Sequence, residues 1–168
     1  MVKKSILSSL LIVLTFFVMV GCSGNNKEQE DKKVVEDFLR EYYSQLVFTP
    51  DEWVKVKTSV EQMTSDSDFK NIEFVSEFDD LLTETCLVRM GKNRLIPNFA
   101  MENPEIKMAE IDDIEYLILE EGKYKISYTL KLEEKNEEKK IANNIEVSVI
   151  SINEKRLIDT IFGDFLWE

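Results

Sequence analysis

Near residue 105 the apolar spacing of the chain drops from a helical period to a period of two, and it changes only once. Upstream, Val34, Val35, Phe38, Leu39, Tyr42 and Leu46 recur at spacings of three and four, with Glu36, Asp37, Arg40 and Glu41 on the other face. Downstream, Tyr124, Ile126, Tyr128, Leu130 and Leu132 alternate with Lys125, Ser127, Thr129, Lys131 and Glu133. Helices followed by strands, rather than the two interleaved, exclude a parallel α/β fold and predict the α+β class, with N-terminal helices packed on a curved four-stranded antiparallel meander.

The punctuation refines that reading. The spacing predicts a first helix over residues 32–47. Thr49, Pro50 and Glu52 form a Thr-x-x-Glu capping box with proline at the first helical position, predicting a second helix to about Met63 that buries Trp53, Val56 and Val60. Phe69, Ile72, Val75, Phe78, Leu82 and Cys86 make a further helical stripe over residues 68–90, as one helix or two, ended by Gly91. Asn93, Pro97, Asn98, Asn103 and Pro104 mark a connector with at most a short strand. Strands are then expected over 114–118, 124–132, 141–149 and 157–162, with turns at Glu121-Gly122 and Asn153-Glu154 and a charged loop over 133–140.

At the N-terminus, Lys3 and Lys4 precede an apolar run, Ile6 to Val20, which ends in Met19-Val20-Gly21-Cys22. At about fifteen residues the run is shorter than the roughly twenty of a comfortable spanning helix and fits the apolar core of a secretory signal. The box, a small residue followed by cysteine, resembles bacterial lipoprotein signals. That resemblance implies cleavage before Cys22, a diacylglyceryl thioether on Cys22 as the new N-terminus, and a cell-membrane anchor on the extracytoplasmic face. Residues 1–21 are then the signal, 22–32 a polar tether with a reach of about 17 Å, and 33–168 one domain.

Without residues 1–21 the chain keeps 19 basic and 33 acidic side chains, a net charge of −14. Such a surface argues against nucleic acid as a partner and against a basic membrane-binding face, so the bilayer must be reached through acylated Cys22. There is no histidine. Ser-His and Cys-His catalysis and most zinc and haem ligation are removed with it, and neither cofactor nor metal is expected. With Cys22 acylated, Cys86 has no disulfide partner, and its apolar neighbours suit a small buried side chain.

Three groups are candidates for a site. Asp66-Ser67-Asp68 with Glu77 imitates a calcium loop, but Lys70 stands at a ligand position and Asn71 where the turn needs glycine. Tyr42, Tyr43, Trp53, Tyr124 and Tyr128 suit an aromatic cleft between helices and sheet, and equally suit core. Asp159 shares strand parity with Leu157 and Ile161, but Ile158, Thr160 and Phe162 make the opposite face as apolar, so an outward carboxylate is expected.

The element order, with the opening helix from Val34 to Tyr43 and long C-terminal strands, resembles the nuclear transport factor 2-like superfamily over residues 33–168. That resemblance implies a cone in which a curved sheet wraps helices around a pocket, used by some members for catalysis and by others for binding. The combined reading is a lipid-anchored domain that binds an envelope protein or small ligand without catalysis. The alternatives are a small hydrolase or isomerase working in the cone, and a scaffold subunit of a conjugation or secretion channel.

Overall fold

A computed structural model describes residues 26–63 and 66–163. It bears out the α+β class: helices lie against a four-stranded antiparallel sheet of order β1-β2-β3-β4. Cys22 lies outside the described residues, as do Phe165, Leu166 and Trp167.

Helix α1 covers 26–44 and runs into a 3-10 turn, Gln45–Val47. Its stripe from Val34 to Leu46 is buried in the main core. Residues 26–32, expected as tether, are helical, because Asp31 is drawn inward to a partner on the sheet. Helix α2, Pro50–Glu61, starts at the predicted capping box: Glu52 N–H donates to Thr49 Oγ1 at 3.3 Å, and Thr49 N–H donates to Glu52 Oε2 at 2.7 Å.

The third apolar stripe is buried as expected, but it is not one continuous helix. It divides into a 3-10 helix, Asp66–Asn71, a single turn α3, Glu73–Ser76, and α4, Glu84–Lys92. Between α3 and α4 the chain turns through residues 77–81 and then extends at Leu82 and Thr83, where Leu82 bridges Ile158 in parallel and Thr83 N–H donates to Ile158 O at 2.9 Å. Thr83 then caps α4. Gly91 does not end that helix but lies inside it. A Cβ there would meet the Phe69 ring at 2.6 Å, so close packing accounts for the glycine.

The strands are longer than the alternation suggested: β1 Ile106–Glu120, β2 Lys123–Glu134, β3 Glu137–Ile152 and β4 Lys155–Gly163. In β1 the core-facing parity is odd at Ala109 and Ile111, opposite Leu132 and Leu130, and even at Tyr116 and Ile118, opposite Ile126 and Tyr124. The bulge between Asp112 and Glu115, with Asp113 at φ 51°, makes the switch. Residues 133–140 are no loop. Glu133 pairs with Glu138 and Glu134 with Glu137, leaving a two-residue turn in which Lys135 and Asn136 both have positive φ.

Candidate functional site

The aromatic side chains expected to line a cleft are packed inside the protein. Tyr42, Tyr43, Trp53, Tyr124 and Tyr128 are all buried in the core shared by α1, α2 and the sheet. Tyr43 and Tyr128 hydroxyls bond each other at 2.9 Å, and Asn98 Nδ2 donates to the Tyr42 hydroxyl at 3.3 Å. Burial, above all, raises the pKa of these three phenols far above the ordinary range, so they remain protonated donors and acceptors. Trp53 is packed between Phe48 and Phe99, with ring centroids 5.4 and 5.8 Å away. Among the described residues, Trp53 Nε1 and Asn143 Nδ2 are buried without a hydrogen-bond partner.

Tyr124 is the exception to this packing. It is buried, yet it borders a cavity of about 290 Å³ with Lys27, Glu28, Asp31, Ile118, Glu121, Gly122 and Arg156. Its hydroxyl donates to Asp31 Oδ2 at 2.7 Å. Arg156 grips the same carboxylate with two donors, Nη2 to Oδ2 at 2.8 Å and Nε to Oδ1. This Asp31–Arg156–Tyr124 knot joins the first turns of α1 to β4 and β2. Asp31 read as solvated tether in the sequence, and the helical stripe gave no sign of a partner 125 residues away.

Asp159 does not face outward as expected. The register shift opposite Ser148 and Val149 leaves it between the pairs Ser148–Thr160 and Val149–Ile158. It is half-buried, and Thr83 Oγ1 donates to its Oδ1 at 3.1 Å. Thr83 Oγ1 also accepts from Cys86 N–H at 3.2 Å, so Asp159 holds the cap of α4. The bulge explains why both parities of 157–162 looked apolar: Ile158 and Ile161, three residues apart, sit opposite the core residues Val149 and Val147. Nearby Cys86 is buried. Desolvation pushes its thiol up to about 11, Arg89 pulling it down and Asp159 adding to the rise.

A groove of about 260 Å³ lies between α2 and α3. Phe48, Val56, Ile72 and Phe74 give it an apolar floor, and Glu52, Glu73, Glu77, Lys55 and Ser59 surround it. The acids outnumber the single base. Glu41 belongs to the same field: burial raises its carboxyl pKa and the charge of Glu77 raises it further, against a hydrogen bond from Ser44. Sequence reading missed this groove, because its two walls come from elements whose boundary was misplaced. The apolar spacing places Glu73 and Phe74 within a helical stripe over 68–90, one helix or two, without marking the break at Ile72.

Among the described residues, no cluster of three or more acids or cysteines could hold a metal ion, and no helix is long and apolar enough to cross a membrane. Asp66-Ser67-Asp68 lies in a 3-10 helix.

No protein-family model matches the chain, and no curated protein matches it. Among solved structures it is similar to a protein of unknown function from Bacteroides thetaiotaomicron VPI-5482, with 19% identity over 88% of this chain and 98% of that one, and a TM-score of 0.46.

Proposed function

We propose that this protein is a lipid-anchored, extracytoplasmic binding protein of the nuclear transport factor 2-like kind, which recognises a protein partner through the α2–α3 groove without catalysis. The observation that carries the reading is the groove itself: an apolar floor ringed by Glu52, Glu73 and Glu77 beside the partly buried Glu41. Its chemistry favours a segment that presents an apolar side chain next to lysine or arginine. Burial of Tyr43 and Tyr128, which spend their hydroxyls on each other, supports recognition on the outside. Helices first and a meander after support the superfamily membership, and Met19-Val20-Gly21-Cys22 supports the anchor.

Two measurements test it. Labelled palmitate should enter the protein, and Cys22→Ala should abolish the label; label retained in that variant removes the anchor. A photo-crosslinker at Ser59, in the groove, should capture a discrete membrane partner that the same probe at Thr129, on the far face of the sheet, does not. Glu73→Lys with Glu77→Lys should eliminate the capture. Equal capture from both positions, or capture indifferent to the reversal, overturns the groove.

A further inference from the structure

Of the nine large hydrophobic side chains exposed among the described residues, five sit at one end of the sheet. Leu117 is 60% exposed, Ile118 and Leu119 51%, Ile150 36% and Ile152 41%. The β1–β2 and β3–β4 turns share that end: Val149 N–H donates to Gly122 O at 2.7 Å, and β3 runs three residues beyond, to Ile152. The start of α1 is there too, because Lys27 pairs with Glu121 at 3.9 Å and Asp31 with Arg156 at the beginning of β4. Apolar surface gathered at one end of an acidic domain calls for a cover.

We propose that this end of the sheet rests on the outer leaflet of the membrane, with Leu117, Ile118, Leu119, Ile150 and Ile152 in contact with lipid. The inference rests on acylation of Cys22. Cys22 precedes residue 26 by four positions, and four residues span at most about 14 Å. The acyl chains are thereby confined to the neighbourhood of this end, while the β2–β3 turn at Lys135 and Asn136 lies at the other end of the sheet. The charges fit a neutral interface rather than an anionic one. Lys27, Lys32 and Lys123 are each matched to an acid, Glu121, Glu28 and Glu120, and Lys125 stands opposite Glu146 on the neighbouring strand, so the described residues of this end form no purely basic face to seek anionic lipid. Contact through apolar side chains needs none. It would also fix the orientation of the domain, which a tether alone leaves free.

The test uses the full-length acylated protein in phosphatidylcholine vesicles, carrying a polarity-sensitive dye on a single introduced cysteine. Acylated Cys22 and buried Cys86 do not compete for the dye. Leu119→Cys and Ile152→Cys are the probe positions, and Asn136→Cys in the β2–β3 turn is the control. Dye at 119 and 152 should shift to the blue and be quenched by a lipid-borne quencher, while dye at 136 stays in water. Acyl mass and sedimentation with vesicles are read on the same samples. An acylated, vesicle-bound protein whose dye at 119 and 152 is as wet as at 136 overturns the contact and leaves the anchor standing. A protein without acyl mass that does not sediment overturns both. Shielding that persists without vesicles overturns the contact as well, assigning the surface to a second copy if it grows with protein concentration and to the chain's own remainder if it does not.

Discussion

At the scale of single residues, the Asp31–Arg156 pair shows what a buried charge demands. Asp31 is 2% exposed and receives two donors from Arg156 and one from Tyr124. Removing one partner strands the other, so Arg156→Met should cost about 3–5 kcal/mol in a denaturant melt. The apolar double variant Asp31→Leu, Arg156→Met should recover most of that loss. A second prediction turns on two glutamates whose pKa values move in opposite directions. Glu41 is raised, first by burial and then by Glu77, so the fold binds its proton more tightly than the unfolded chain does. Its contribution therefore worsens as pH rises from about 4.5 through the raised value, and Glu41→Gln should gain stability over the parent at neutral pH but not in acid. Glu52 is lowered, chiefly by its hydrogen bond from the Thr49 side chain and then by that from the Thr49 backbone. What it contributes is present above its unfolded value and lost as pH falls through the folded one, so Glu52→Gln should lose stability at neutral pH and converge with the parent in acid. Thermal melts across pH compare the three proteins directly; curves that diverge in the same sense would contradict the assignment.

At the scale of elements, turns and bulges decide what periodicity can reveal. The β1–β2 turn holds Gly122 at φ +73°, and a Cβ there would lie 2.6 Å from Val149 O, a backbone atom that cannot swing aside. Gly122→Ala should therefore cost more than the 1–2 kcal/mol of a left-handed alanine, read as a lowered denaturation midpoint with an unchanged slope. The sequence identified this turn because Glu121-Gly122 stands between two clean alternations. It announced the Thr49 cap just as clearly. It hid the first half of β1, because the bulge at Asp113 reverses parity midway and the two halves cancel as a single pattern. It hid the 135–136 turn, because charged residues on hairpin arms look like a loop when Lys139 and Glu134 are not yet seen as partners. The stripe from Phe69 to Cys86 gave the right buried residues and left open how many helices carry them. Spacing reports which side chains go inside, and what breaks this segment is a long-range bridge to Ile158.

For the whole molecule, that same bridge links the two halves of the chain and carries the last prediction. Without β4, the sheet would lose the strand hydrogen-bonded along β3 from Ile145 to Ile152. It would also lose Ile158, which is wholly buried and bonded on its other side, its N–H donating to Leu81 O at 2.9 Å and its carbonyl accepting from Thr83 N–H at 2.9 Å. Thr83 would lose Asp159, and with it the fixed cap of α4; Asp31 would lose Arg156, and with it the hold of the sheet on the start of α1. Four attachments spread over both layers depend on nine residues, so the damage cannot remain local. Truncation after Asn153 should abolish cooperative melting of the domain, whereas the point variant Phe162→Ser, at an exposed position on the outer face, should leave it nearly unchanged. A truncated protein that still melts in one sharp transition would mean that the helices and the first three strands fold without β4, and that the bridge at Leu82 only decorates a core complete in itself.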